Sequence, residues 1–574
     1  MSLSAHPSVM GTEYMVVSGH PAASLAGSQI LEAGGNAVDA GVAIGLCINV
    51  LESEMTGFAG VAPTMLRMAA DGEVRNFVGV GPWPKALDAA YFRENYDGLV
   101  PPGILDTVVP AAPDIWLTAL QHFGTLSFGE VAETAIRLAC DGFPMYPFMI
   151  EAMQAHFNDF SKMPGTAAIY CPNGDLPKVG DLFVQAELAC TLQFLVDEER
   201  KAASNGRHAG IDAARRAFYK GDIAVAIIKQ QEAEGGFMTR EDLASFRSEI
   251  EVPTRASFGD YELYGCGPWC QGPMIIGAAQ ILSNVDLGSM GHNSANTIHY
   301  VTEALKLSAA DREAYFGDPA QMKVPLDTLL DPNYSRMRRD LIQSDRAHPG
   351  LPNPGKVDGF AVPAWQPDPS SNPQQTPANS LETSYFCVID KDGNLFSATP
   401  SDPTISGEVV PGLGITTSRW GTRAHTGSHH PARVGPGWRP RMSANPMLAI
   451  KPGEALIPIG SPGSEVLGQA QLQVMLNMLV FGMSPQPAVE AARFACYSWP
   501  ASALPHTFHP ARLNLEADIG EEIGKTLANR GHDIRWWPER IWRAGSVCTI
   551  WLDQKSGVLQ GGADPRRNAS AIGR

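Results

Sequence analysis

The stretch Leu381-Glu382-Thr383-Ser384-Tyr385-Phe386-Cys387-Val388-Ile389-Asp390-Lys391-Asp392-Gly393-Asn394 constrains this chain more than any other. Upstream of it, from about Pro349 to Ser380, the sequence is rich in Pro and Ser, the composition of a flexible tail. The tail stops at a Thr that opens a run of aromatic and β-branched residues, and Lys391-Asp392-Gly393-Asn394 then reads as hairpin punctuation. A Thr at the start of a strand ordinarily just fits the pleat. A flexible tail leading straight into a buried strand whose first residue carries a hydroxyl is also what a self-cleaving chain needs. Cutting before Thr383 would put a hydroxyl nucleophile and a new α-amino base on one residue.

The run from Thr383 to Asn394 resembles the start of the small subunit of the γ-glutamyltranspeptidase family, where the motif reads Thr-Thr-His-(Tyr/Phe)-Ser-Val-Val-Asp-x-x-Gly-Asn. Other family blocks follow the same order. They are His20-Pro21 through Gly27, Gly34-Gly35-Asn36-Ala37-Val38-Asp39-Ala40, Asp311-Arg312 through Pro319, and the closing Gly561-Gly562-Ala563-Asp564-Pro565-Arg566-Arg567. Matches run from about Val16 to Ala571, and no internal repeat interrupts them. The resemblance implies an N-terminal nucleophile (Ntn) hydrolase of α+β class: a four-layer αββα sandwich with two antiparallel sheets between helical layers. It also implies a large subunit of residues 1–382, ending in the Pro-rich tail 349–380, and a small subunit of residues 383–574 that starts at the nucleophile. Length alone would suggest three or four domains, whereas the resemblance implies one intertwined domain.

Lys+Arg 43 against Asp+Glu 60 leaves a net charge of −17. An acidic chain without a basic cluster repels nucleic acid and anionic membranes, which leaves a small-molecule amide as the expected partner. No signal peptide is visible and no apolar run reaches membrane-spanning length. Nine scattered Cys read as reduced thiols of a cytoplasmic protein, a departure from the many exported family members. Neither a metal nor a cofactor is expected: Cys266 and Cys270 have no His partner nearby, and His429-His430 have no acidic partner at ligand spacing. Two subunits from one precursor are expected, and a dimer of such heterodimers is left open.

Carried over by the resemblance, Thr383 is the nucleophile and Glu382–Thr383 the bond cut in maturation. Ser401, eighteen residues on, stands where the family has a second Thr that steadies the first. Gly460-Ser461-Pro462-Gly463-Ser464 matches the loop whose main-chain N–H groups, here those of Gly463 and Ser464, face the developing oxyanion. The freed α-amine, with a pKa of about 7.7–8.0, serves as base without any His. Asp311 and Arg312 read as a structural ion pair or cap.

Four features, at five positions, depart from the transpeptidase pattern. Val78 replaces the Arg that clamps the substrate α-carboxylate, and Thr422-Arg423 replace the Asp pair that binds the α-amino group. Met442 replaces one of two adjacent Ser, leaving Ser443, and Pro403 stands for an Asn. The lid stretch Thr422 to Trp438 is short, which favours water as acceptor. Its His429-His430-Pro431 and Pro436-Gly437-Trp438-Arg439-Pro440 resemble the hydrolase-like branch that includes oxamate amidohydrolase-type proteins. Arg423, Trp420, Ser443 and Met442 are the expected substrate-side residues, with Arg419 as a second candidate cation and Trp438 as a second aromatic wall. The expectation is an autoprocessing N-terminal-threonine amidohydrolase that works through an acyl-enzyme and is not γ-glutamyl-specific. Alternatives are a γ-glutamyl hydrolase or transferase, a cephalosporin- or glutaryl-type acylase, and an uncut, non-catalytic scaffold.

Overall fold

The strand that follows Thr383 spans Phe386–Ile389, and its side chains alternate between two cores. Phe386 and Val388 pack with helices, while Cys387 and Ile389 pack between two sheets. All four are fully buried, so the strand lies in the middle of the protein. Its hairpin partner Leu395–Ala398 pairs antiparallel with Phe386 opposite Ala398. One carboxylate oxygen of Asp390 accepts from the N–H groups of Asp392 and Asn394 at 3.0 Å, and the other accepts from the Asn394 side-chain amide at 2.9 Å. With Gly393 at φ +81°, these contacts give the Asp-x-x-Gly-Asn run its meaning as a turn.

A computed structural model describes residues 6–360 and 382–574; residues 361–381, most of the Pro-rich tail, lie outside the described residues. Two seven-stranded sheets form the centre, and every strand pair in them is antiparallel. In the first, Phe386–Ile389 is flanked by Met15–Ser18 and Leu395–Ala398. In the second, Ala455–Gly460 is flanked by Cys548–Asp553 and Met447–Lys451, which in turn pairs with Tyr261–Gly265. Strands from before and after residue 383 are therefore neighbours in both sheets.

Met15, Val17, Cys387 and Ile389 of the first sheet meet Leu448, Leu456, Cys548 and Ile550 of the second in the inter-sheet core. Helices Pro21–Glu32, Ala37–Leu51 and Ala112–Phe123 cover the outer face of the first sheet. Helices Gly272–Leu282, Ala295–Tyr315 and Leu467–Leu479 cover that of the second. The result is the four-layer αββα sandwich that the resemblance implies. Helix Ala37–Leu51 is buried along its whole length. Asn36 caps it, its Oδ1 accepting from the N–H groups of Val38 and Asp39 at 2.8 and 3.1 Å, a contribution of about 1 kcal/mol. Gly41 lets this helix lie on the sheet, since a Cβ there would sit 2.3 Å from the Phe396 ring. No helix among the described residues is long and apolar enough to cross a membrane.

Candidate active site

Thr383 stands where the chain enters the first sheet and is 2 % exposed. Its N–H donates to the Met55 carbonyl at 2.9 Å, and its carbonyl accepts from Nη1 of Arg567 at 2.9 Å. The Ser384 N–H donates to Pro400 at 3.0 Å, so the backbone is clamped on both sides. Within that clamp Thr383 has φ +106°, a region that β-branched residues avoid at a cost of about 1–3 kcal/mol. The torsion is defined by the carbonyl carbon of Glu382. Breaking the Glu382–Thr383 peptide removes it, so the strain favours the cut chain.

Oγ1 of Thr383 lies 2.7 Å from Oγ of Ser401, and either hydroxyl can donate. Ser401 is fixed from behind by its N–H, which donates to Val61 at 3.0 Å. The next residue, Asp402, is buried; its carboxylate accepts from Ser418 Oγ at 2.5 Å and from the Arg419 N–H at 3.2 Å. Burial pushes Asp402 up to about 7; the Glu382 charge adds to this, while the Ser418 hydrogen bond, Arg423 and Arg419 oppose it.

The Gly460–Ser464 loop comes from the second sheet. Strand Ala455–Gly460 ends in Ser461-Pro462-Gly463, and the turn Ser464–Val466 leads into helix Leu467–Leu479. Gly463 has φ +128°, a conformation open in practice only to glycine, and Ser464 follows at +51°. N–H groups at the start of a helix have no acceptor within it, which leaves those of Gly463 and Ser464 as donors. Behind the loop, Glu465 accepts from Arg312 at 3.0 Å, Trp499 Nε1 at 2.8 Å and the Ser502 N–H at 2.6 Å. Burial alone would raise Glu465, but Arg312 outweighs it and holds the carboxyl below its usual range. Pro462 and Ser384 line one small cavity, which brings the loop beside Ser384, the neighbour of Thr383. Arg312 thus anchors the loop. Asp311 pairs elsewhere, with Arg338 at 3.3 Å and Tyr334 at 2.8 Å, so the two neighbours are structural but not a pair with each other.

Sequence reading passed over a buried acidic cluster beside Thr383. Glu54 accepts from Tyr146 Oη at 3.0 Å. Burial pushes Glu52 up to about 7, and burial plus the Glu52 charge pushes Glu54 to about 8. Arg567 lies 4.9 Å from the Phe148 ring centroid and 5.5 Å from that of Trp542, its charge opposing both shifts. Burial brings Arg567 itself down to about 10. The available signals were two acids at the end of an apolar helix and the last Arg of the closing motif.

Arg423 pairs with the residue just before Thr383: its Nη2 is 2.8 Å from Glu382 Oε2. The guanidinium lies 4.1 Å over the Trp420 ring, and Trp420 is fully buried, so it supports Arg423 rather than forming an open wall. Arg419 is already committed to Asp106, at 2.8 and 2.5 Å, which removes it as a reader of substrate carboxylate. Trp438 stacks with Arg433 at 4.3 Å. Met442 packs in the inter-sheet core, and the buried Ser443 offers its carbonyl to Gln271 Nε2 at 2.7 Å.

The Cys266 thiol donates to Asn76 Oδ1 at 3.3 Å and that of Cys270 to the Ala444 carbonyl at 3.0 Å. His430 does have an acidic partner, invisible to local spacing: Nε2 lies 3.3 Å from Glu313 Oε2, with His425 close by. The His425 and His430 rings stack 3.5 Å apart and 12° from parallel, so their in-plane lone pairs do not converge on one point. Glu313 is also paired with Arg312 at 2.8 Å and Arg441 at 2.7 Å. This geometry suits an ion-pair network and does not suit a metal.

The profile of the Gamma-glutamyltranspeptidase family matches residues 23–574. The chain is 32 % identical over 578 residues to an acylase ACY 1 proenzyme of Pseudomonas sp. (strain SE83), covering 98 % of this chain and 94 % of that one. It is 30 % identical over 573 residues to the glutathione hydrolase-like YwrD proenzyme of Bacillus subtilis (strain 168), covering 99 % of each. A crystal structure of cephalosporin acylase from Bacillus halodurans superposes with a TM-score of 0.85 at 26 % identity, covering 100 % of this chain and 98 % of the other. The chain belongs to the gamma-glutamyltranspeptidase family and is an Ntn-type amide hydrolase.

Proposed function

We propose that the chain cuts its own Glu382–Thr383 bond and then hydrolyses a small amide through an ester on Thr383 Oγ1. The observation that carries this reading is the strained, clamped Thr383 with its hydroxyl 2.7 Å from Ser401. In maturation Oγ1 adds to the Glu382 carbonyl carbon, the C–N bond breaks, and the hydroxyl proton ends on the Thr383 nitrogen. Water then adds to the ester and the C–O bond breaks, leaving a Glu382 carboxylate and a free Thr383 amine and hydroxyl. Residues 1–382 and 383–574 become two interleaved subunits.

In turnover the free amine takes the hydroxyl proton as Oγ1 attacks the substrate carbonyl. Ser401 orients Oγ1, and the N–H groups of Gly463 and Ser464 receive the oxyanion, an interaction worth about a hundredfold in rate. The leaving amine takes the proton back, and water resolves the ester. The pocket is not γ-glutamyl-specific, because Val78 is a buried apolar residue and Arg423 would repel an ammonium group.

The test is p-nitroaniline release by purified, cut protein from anilides with neutral, acidic and γ-glutamyl acyl groups. At least one non-γ-glutamyl anilide is expected to be cleaved faster than the γ-glutamyl one. Cut protein that releases nothing, or that prefers γ-glutamyl over all others, would overturn the reading.

A further inference from the structure

The buried charge of Arg567 stands one carbonyl away from the nitrogen that self-cleavage turns into an amine. Its Nη1 donates to the Thr383 carbonyl oxygen at 2.9 Å. Covalent geometry keeps that oxygen within ~3.6 Å of the α-nitrogen of the same residue, so Nη1 lies within ~6.5 Å of it. Just after Arg567, strand Ser570–Gly573 pairs with Met15–Ser18, which in turn pairs with Phe386–Ile389. The guanidinium is therefore held by the sheet that carries Thr383, with the Phe148 and Trp542 ring centroids 4.9 and 5.5 Å from it. Both partners belong to residues 383–574, so a cut before Thr383 does not separate them.

A like charge at that distance disfavours an ammonium group. The other ionisable groups around Thr383 do not cancel it while the amine titrates. Glu52 and Glu54 follow helix Ala37–Leu51 and lead into Met55, whose carbonyl accepts from the Thr383 N–H. Burial pushes them up to about 7 and about 8, so below those values they are uncharged. Burial also pushes Tyr146, on Glu54, well above the usual tyrosine range, and brings His20, whose ring lies 5.0 Å from that of Tyr146, down to about 4. Both are neutral near pH 7. Beside Ser401, burial pushes Asp402 up to about 7 as well. Glu382 pairs with Arg423 at 2.8 Å, and Asp564 is committed to Arg493 and Arg566. The new Glu382 α-carboxylate does not offset Arg567 in turnover, because a substrate carbonyl reaches Oγ1 only where that carboxylate is not.

We propose that Arg567 tunes the catalytic base: hydrogen-bonded to the Thr383 carbonyl, its buried charge keeps the freed α-amine uncharged at neutral pH, ready for the Oγ1 proton. This inference rests on the amide-hydrolase reading above and adds the residue that sets its working pH. As the bond from Oγ1 to the substrate carbon forms, the amine lone pair takes the hydroxyl proton. The ammonium so made is disfavoured beside Arg567 and passes that proton to the leaving nitrogen as the C–N bond breaks, which restores the neutral amine for the water step. Arg567 touches neither the substrate nor the transferred proton; it acts through the amine.

The test acetylates purified, cut protein with acetic anhydride from about pH 5 to about pH 9 and follows the Thr383 amine by the mass of the N-terminal peptide of residues 383–574. The wild-type midpoint is expected about one unit below the ordinary α-amine value of about 7.7–8.0, and the acid limb of kcat/KM on the p-nitroanilide cleaved fastest is expected at the same pH. Arg567→Met is expected to raise both midpoints by about one unit, and Arg567→Lys, which keeps the charge, to leave them within about half a unit of wild type. A residue that only braced the fold would change rates without moving a midpoint. A wild-type midpoint at or above about 7.7, or one that Arg567→Met leaves in place, would overturn the inference, while anilide release would keep the amide-hydrolase reading. An uncut wild type, or cut protein that releases no p-nitroaniline, would overturn both. If Arg567→Met does not mature, the wild-type midpoint decides alone.

Discussion

Thr383 and Arg423 flank Glu382, one through the peptide bond and one through its side chain, but from different kinds of structure. Thr383 enters a central strand, and hydrogen bonds to its nitrogen, carbonyl and hydroxyl come from Met55, Arg567 and Ser401, with Ser401 itself pinned to Val61. Arg423 closes a short turn, Trp420–Arg423, in the loop between the hairpin and the second sheet, and is held by side chains alone: Trp420 beneath, Glu382 at its tip and Thr422 beside it. Sheet-borne chemistry cannot drift without moving the sandwich. A loop-borne charge can be exchanged one residue at a time, so on the proposed reading Thr383 stays fixed by the sheet while the loop carries the charge that differs from the family pattern.

The sharpest way to break that contrast is at the rigid half. Gly463→Ala forces a Cβ into φ +128° and should lower kcat by about a hundredfold, measured on any anilide the wild type cleaves; unchanged kcat would mean that the loop does not face the oxyanion. Ser401→Ala should slow both maturation and turnover by about tenfold, with Ser401→Thr restoring most of the loss. A Ser401→Ala effect on KM alone would move Ser401 to the substrate side. The smallest effect is expected beneath the nucleophile. Glu54 is held near 8 in the native state against about 4.3 unfolded, so between those values the native state binds more protons and stability falls as pH rises. Glu54→Gln should flatten the decline in melting temperature between pH 6 and pH 9, and a decline as steep as that of the wild type would place the titration elsewhere.

Much of the rigid half was legible because its signals are local. The Asp390 turn needs Asp, Gly and Asn at short spacing, and Lys391-Asp392-Gly393-Asn394 announced it as hairpin punctuation. The Thr383–Ser401 contact followed from the family motif rather than from the residues alone. What could not be read was long-range pairing: Arg419 with Asp106, His430 with Glu313, Arg567 with the Thr383 carbonyl. Those partners lie more than a hundred residues apart, and only the folded sandwich brings them together. Trp420 looked like a pocket wall because exposure has no local sequence signal, and burial turned it into a support for Arg423.

The most direct test of the central claim is the intact mass, under denaturing conditions, of purified wild type and Thr383→Ala. Two wild-type fragments, the smaller beginning at Thr383, with a single uncut variant chain, are the predicted result. A single uncut chain in both, or a variant still cut before residue 383, would contradict the assignment of Thr383 as the nucleophile that opens the chain.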